Sequence, residues 1–188
     1  MGLYESTYVR IEHDQYETPA WVTEALLPYL GRGCLRIWEP CSGTGRMVRV
    51  LAAGHDVYAS DLFVPSEHPE IHRVDFLHAE SDISFYPYDG IVTNPPFGRE
   101  APKFVRRALE LTRKRRGFVA MLLPMNWDTA ATRRDLFDEC PAFCRKIVLT
   151  RRIVWFEQTE KRKSPKENHA WFYRCHRYRG APTIAYAP

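Results

Sequence analysis

The sequence has no apolar run long enough to cross a bilayer. Its longest, Gly117 to Pro124, falls far short of the ~20 residues a spanning helix needs. It has no low-complexity tract and no internal repeat, which excludes solenoids and fibrous arrays. Cysteines are few, odd in number and irregularly spaced, so five of them do not make a disulfide framework. Cys140 and Cys144 lie one helical turn apart but lack a second Cys/His pair, and a closed zinc site takes about four ligands. The N-terminal region is not expected to act as an apolar leader. Glu5, Glu12, Asp14 and Glu17 interrupt the N-terminal region, unlike a secretory signal. The expectations are a protein of the reducing cytoplasm, without a metal and without a membrane anchor.

What is present suits a folded enzyme-sized domain. The chain has 188 residues, 45% of them apolar and 27% charged, enough to fill one core; residues 1–188 read as a single domain. Charge is unevenly spread. Residues 1–98 carry 6 Lys/Arg against 14 Asp/Glu, whereas residues 99–188 carry 21 against 9. The C-terminal half therefore suits a polyanionic partner, although a solvated helix face plus a charged loop would produce the same count.

Short apolar runs at 35–38, 57–60, 71–74, 90–93 and 118–123 are bounded by turn or charged residues, as expected of buried parallel strands. Helical patterns separate them: Pro19 to Tyr29 with Thr18 as N-cap, Arg46 to Ala53, Ala101 to Arg113, and Thr129 to Cys140. Segments 146–150, 152–156 and 170–175, rich in β-branched and aromatic residues, read as closing strands. The rhythm predicts an open α/β sheet, whose ligands sit at the carboxyl ends of its strands.

The chemistry should therefore lie just after each strand. After the first comes Glu39-Pro40-Cys41-Ser42-Gly43-Thr44-Gly45. A phosphate-cradling loop needs Lys-Ser/Thr where this chain has Arg46-Met47. A dinucleotide fingerprint needs a small residue where Val48 stands. In a third reading Glu39 faces the ammonium and sulfonium region of a cationic ligand; in a fourth the segment is only a strand–helix turn. The second strand is followed by Asp61-Leu62, with the acid placed for ribose hydroxyls. The third is followed by Asp75-Phe76, an acceptor beside a ring that could hold an adenine. Either aspartate alone also fits a turn cap.

The fourth strand ends in Asn94-Pro95-Pro96-Phe97. Neither proline can donate to a sheet ladder, and together they make a stiff corner. That corner fixes two acceptors, the Asn94 amide oxygen and the Pro95 carbonyl. Two acceptors can grip both hydrogens of an –NH2 group and localise a lone pair otherwise delocalised into a ring. Phe97 would then stack on the flat base.

These residues carry a resemblance. The chain resembles the amino-group class of S-adenosylmethionine-dependent methyltransferases, most closely the DNA adenine-N6 enzymes, including small phage- or prophage-type members. Tyr16-Glu17-Thr18-Pro19 is similar to their N-terminal Tyr-x-Thr-Pro motif, residues 39–45 to the glycine-rich cofactor motif, Asp61 to the ribose-binding acid and Asp75-Phe76 to the adenine-contacting pair. Asn94 to Phe97 matches their catalytic Asp/Asn/Ser-Pro-Pro-Tyr/Phe/Trp motif. The resemblance implies a class I, Rossmann-like methyltransferase with a seven-stranded, mostly parallel sheet, order 3-2-1-4-5-7-6, the last strand antiparallel, and helices on both faces. It implies S-adenosylmethionine held by Tyr16, Thr18, Pro19, residues 39–45, Asp61, Leu62, Asp75, Phe76 and Asn94. Catalysis would fall to Asn94, Pro95, Pro96 and Phe97, with DNA as the partner.

Two departures bear on the target. Nothing between these motifs is long enough for a separate target-recognition domain, which leaves room for a separate specificity partner. The loop 157–168, together with Trp155, Phe156, Lys161, Arg162 and Lys163, is the place for target contacts. Trp155 and Phe156 as ordinary core residues remain the alternative. The rival targets are adenine N6 in RNA and the amide of protein glutamine; a rival of another class is an inactive cofactor- or nucleic-acid-binding module. The expected assembly is a monomer or weak dimer.

Overall fold

The computed structural model describes residues 16–78, 86–155 and 167–188. Phe156, Lys161, Arg162 and Lys163, expected at the target, lie outside the described residues.

One sheet organises the chain. In chain order its strands are β1 (Arg36–Glu39), β2 (Asp56–Asp61), β3 (His72–Arg73), β4 (Gly90–Thr93), β5 (Phe118–Pro124), β6 (Phe143–Leu149), β7 (His169–Cys175) and β8 (Thr183–Ala187). Their spatial order is β3-β2-β1-β4-β5-β7-β6-β8. β7 runs antiparallel to both β5 and β6, and the remaining pairs are parallel. The helices are α1 (Ala20–Glu24), α2 (Arg46–Leu51) and α3 (Ala101–Arg113).

Strand alternation divides the core between two faces. Val119, Met121 and Leu123 of β5 face α3 with Trp38, Phe104 and Phe172. Phe118, Ala120 and Leu122 face α1 and α2 with Val22, Leu26, Met47, Leu51 and Trp171. The Trp171 indole donates to the Val22 carbonyl at 2.8 Å, tying α1 to β7. Helix α3 buries Phe104, Val105 and Ala108 and turns Arg106 and Arg113 outward, as its apolar stripe predicts.

Four expectations need correction. The sheet has an eighth strand, β8, beyond the seven implied. Its pattern is inverted, with Ile184 and Tyr186 exposed and the small Ala187 buried, so hydrophobicity alone does not reveal it. Residues 152–154 form no strand. Ile153 is fully buried, but the last backbone bond of this edge, Thr150 N–H to the Ala187 carbonyl at 2.9 Å, goes to β8. The expected helix Thr129–Cys140 is replaced by 3-10 turns at Trp127–Thr129 and Ala131–Leu136. Arg133 breaks the helix there with φ −122°, because its guanidinium lies 4.5 Å over the Trp127 ring and donates to the Trp127 carbonyl at 2.7 Å. Tertiary contacts outweigh helix propensity here. Finally, Pro19–Tyr29 splits into α1 and a 3-10 turn, Leu27–Tyr29, that accommodates Pro28; Pro19, not Thr18, is the capping residue.

Candidate functional site

The loops after β1, β2, β3 and β4 converge at one end of the sheet and enclose a cavity of about 360 Å³, a volume that suits a cofactor-sized ligand. The glycine loop is shaped by its backbone. Gly43 and Gly45 adopt φ +52° and +75°, a region costly for side-chain-bearing residues. Ser42 Oγ donates to the Glu39 carbonyl at 2.9 Å, and Gly45 N–H donates to the Ser42 carbonyl at 2.7 Å. Asp61 holds this loop from β2: its carboxylate accepts from Gly43 N–H at 2.8 Å and from Phe63 N–H at 3.0 Å. A carboxylate offers about four lone-pair sites, so Asp61 retains acceptors for a ligand hydroxyl.

Glu39 is 1% exposed, and its Oε2 has no hydrogen-bond partner among the described residues. Burial, reinforced by the Asp61 charge, holds its carboxyl well above the usual carboxylate range. A cation in the cavity would reverse that imbalance. Among the described residues five acidic side chains line the cavity (Glu17, Glu39, Asp61, Asp75 and Glu100), while the one arginine, Arg46, is paired to Glu17 at 3.4 Å. This donor set suits a positively charged ligand and disfavours a pyrophosphate.

Asp75 both lines the cavity and caps its own turn. It accepts from Leu77 N–H at 3.0 Å and His78 N–H at 3.3 Å, and pairs with the His78 ring at 2.8 Å. Burial pushes its carboxyl up, but the His78 and backbone hydrogen bonds together bring it below the ordinary range. Phe76 is a wall rather than a free stacking surface: it stacks on Phe104 at 5.2 Å and meets Trp38 edge-on at 5.0 Å. Burial raises the Cys41 thiol, keeping it protonated as a packing group.

At the outer mouth, Asn94 Nδ2 donates to the Tyr16 carbonyl at 3.2 Å, while its Oδ1 is buried without a partner among the described residues. Pro95 is buried beside it, and Gly98, at φ +81°, turns the chain toward α3. Around Phe97 the fold gathers rings from distant segments. Tyr16 lies 6.1 Å from it, Trp155 6.0 Å and His169 5.7 Å, with Trp155 also edge-on to His169 at 5.2 Å. Burial lowers the His169 imidazole to about 4, so the cluster is uncharged at neutral pH.

Of the residues expected at the cofactor, Tyr16, Thr18, Glu39, Pro40, Cys41, Ser42, Gly43, Thr44, Asp61, Leu62, Asp75, Phe76 and Asn94 line the cavity, as do Pro95, Pro96 and Phe97. Pro19 and Gly45 are not in the lining. Trp155 is not in the lining; it belongs to the ring cluster. Sequence reasoning missed Glu17, Arg46, Met47, Phe63, Val74, Leu77, His78, Glu100 and Phe104 in the lining, and His169 in the cluster. Glu17 was readable as the variable member of Tyr-x-Thr-Pro. His169 had no signal, because its place beside the end of β5, opposite Pro124, follows from β7 register.

No family model and no curated protein matches the chain. Solved structures do. The type I restriction–modification methyltransferase subunit from Streptococcus thermophilus superposes with a TM-score of 0.55 at 15% identity, over 85% of this chain and 44% of that one. The type IIG restriction endonuclease BpuSI gives 0.53 at 13% identity, over 87% and 24%. The 1,6-didemethyltoxoflavin-N1-methyltransferase of Burkholderia thailandensis, with bound 1,6-didemethyltoxoflavin and S-adenosylhomocysteine, gives 0.52 at 13% identity, over 81% and 75%. The fold is that of the Rossmann-like methyltransferases. The chain spans less than half the length of the restriction–modification subunit and about a quarter of the endonuclease. Among the described residues no helix is long and apolar enough to cross a membrane.

Proposed function

We propose that the protein is an S-adenosylmethionine-dependent methyltransferase acting on an exocyclic amine, with adenine N6 in DNA as its target. The observation that carries this reading is Asn94, whose amide nitrogen is committed to the Tyr16 carbonyl while its buried oxygen is left without a partner among the described residues. A buried acceptor without a donor is costly, and in this reading the amine of the target supplies the donor.

The cavity fits the cofactor by its chemistry. Glu39 would face the ammonium and sulfonium side, Asp61 the ribose hydroxyls, and the turn at Asp75 the adenine. When bound, this group supplies an electrophilic methyl. The chain's own work is positioning: Asn94 Oδ1 and the Pro95 carbonyl accept from the two amine hydrogens, and Phe97 packs on the face of the base. No protein nucleophile takes part, which agrees with the protonated Cys41.

Nucleic acid is favoured over a glutamine side chain by the ring cluster around Phe97, since a flat base matches aromatic walls where an aliphatic amide does not. The excess of cations after residue 98 supports the same partner. Two of the similar structures are restriction-system proteins by name, which favours DNA over RNA. Lys161, Arg162 and Lys163 enter as phosphate contacts on sequence grounds alone. Sequence choice would come from a separate partner. The test is to incubate protein and cofactor with unmethylated DNA, RNA or protein, then identify methylated products by mass spectrometry. N6-methyladenosine from RNA alone, or methylglutamine alone, would reassign the target; no product from any of them would remove the enzyme reading.

A further inference from the structure

Glu17 occupies the variable position of the Tyr16–Pro19 segment, yet it anchors that segment over the cavity. Its carboxylate accepts a hydrogen bond from Thr44 Oγ1 and pairs with Arg46 Nε at 3.4 Å. Both partners belong to the glycine loop and the first turn of α2. One residue earlier, the Tyr16 carbonyl accepts from Asn94 Nδ2 at 3.2 Å, and the Tyr16 ring meets Phe97 and Trp155 at 6.1 and 5.7 Å. A dipeptide thus touches the cofactor loop with one residue and the target side with the other.

The link matters because a side-chain amide has two unlike ends. An unconstrained asparagine can present its oxygen or its –NH2 to the cavity, and an –NH2 end would confront the hydrogens of an acceptor amine. The Tyr16 carbonyl removes that choice by engaging the nitrogen. The geometry points to Glu17 as a positioning residue: by fastening Tyr16–Pro19 to Thr44 and Arg46, it keeps the Tyr16 carbonyl where it engages the Asn94 nitrogen and holds the amide in one orientation. The catalytic consequence rests on the methyl-transfer reading above; the orientation of Asn94 does not.

The sequence allows a direct test, because the chain contains three asparagines, Asn94, Asn126 and Asn168. In protein labelled with 15N-asparagine, the Asn94 side-chain amide is identified by its disappearance in Asn94→Ala, and the other two serve as references. Glu17→Ala is expected to speed hydrogen exchange of the Asn94 amide by about 10-fold, with the references within about twofold. Glu17→Gln, which still accepts from Thr44, should fall between. Thr44→Val removes the same hydrogen bond from its other side and decides the question if Glu17→Ala does not fold. Unchanged Asn94 exchange in the folded variants would overturn the proposal. With DNA as substrate, Glu17→Ala should lower kcat by about 10–100-fold and leave KM for S-adenosylmethionine within about threefold. A change in that KM with kcat intact would make Glu17 a cofactor ligand instead and overturn its positioning role. If the wild-type protein methylates no substrate, the methyl-transfer reading fails, and the exchange measurement still decides the role of Glu17.

Discussion

The two sides of the cavity are built by different means. The inner side is made of backbone turns that follow directly from β1, β2 and β3, with acids at each strand end and the glycine loop tied to Asp61 at 2.8 Å. The outer side is a meeting of rings at positions 16, 97, 155 and 169, brought together by the N-terminal segment, the corner after β4, the chain beyond β6 and the start of β7. One side binds through local geometry and charge, the other through long-range packing. They should therefore fail separately, and substitutions on one side should spare the function of the other.

The largest expected effect tests this separation. Asn94→Ala should lower the rate of methyl transfer by about 10²–10³-fold, the scale of losing one positioned hydrogen-bonding group. Calorimetric affinity for S-adenosylhomocysteine should stay within about twofold. A parallel collapse of both would show that the two sides are one unit.

Acid stability probes the outer side alone. His169 has a folded-state value of about 4 against 6.5 for an ordinary histidine, so between these pH values the unfolded chain binds a proton that the folded protein excludes. Its stabilising contribution is complete above 6.5 and is lost as pH falls toward 4, on the order of 3 kcal/mol at most. His169→Phe should remove this part of the pH dependence, which urea unfolding at pH 7 and pH 4.5 would reveal. Identical pH dependence in the two proteins would place His169 in solvent.

On the inner side, Asp61→Ala removes the acceptor of Gly43 and Phe63 and should weaken S-adenosylhomocysteine about 10-fold or more, the worth of a charge-assisted hydrogen bond. Fluorescence from the tryptophan at 155 should change little, since its neighbours Tyr16, Phe97 and His169 are untouched. A large change there would join the two sides.

Glu39→Gln gives the smallest and least intuitive effect. Burial holds the Glu39 carboxyl above its ordinary 4.5, so its contribution to stability is full below pH 4.5 and declines as pH rises toward the folded value. Replacing it should therefore stabilise the ligand-free protein at pH 7, read as a higher Tm than that of the wild-type protein. The gain should vanish below pH 4.5, and S-adenosylhomocysteine should bind more weakly. Unchanged ligand affinity would mean that Glu39 does not face the cation.

How much of this was legible in the residues depends on how far apart the contributing parts lie. Asn94-Pro95-Pro96-Phe97 and Glu39 to Gly45 could be read because turn chemistry is local: prolines cannot join a ladder, and glycines at positive φ mark a tight loop. Helix α3 was readable for the same reason, its stripe repeating at helical period from Ala101 to Arg113. Thr129–Cys140 misled because its propensity favours a helix while Arg133 is captured by Trp127. Strand β8 escaped because its large side chains point to solvent and its pairing with β6 is carried by backbone groups.

The sequence by itself determined the alternating α/β order, the acids and glycines at strand ends, and the corner at Asn94, since each follows from a few adjacent residues and their allowed backbone angles. Only the tertiary structure decided which way the Asn94 amide points, that Glu17 anchors the segment that points it, and that His169 completes the ring cluster around Phe97. Those outcomes depend on strand register and on contacts between residues more than sixty positions apart, such as Tyr16 and Asn94. Contacts at that range are set by which surfaces the whole chain buries together, and local preference carries no information about them.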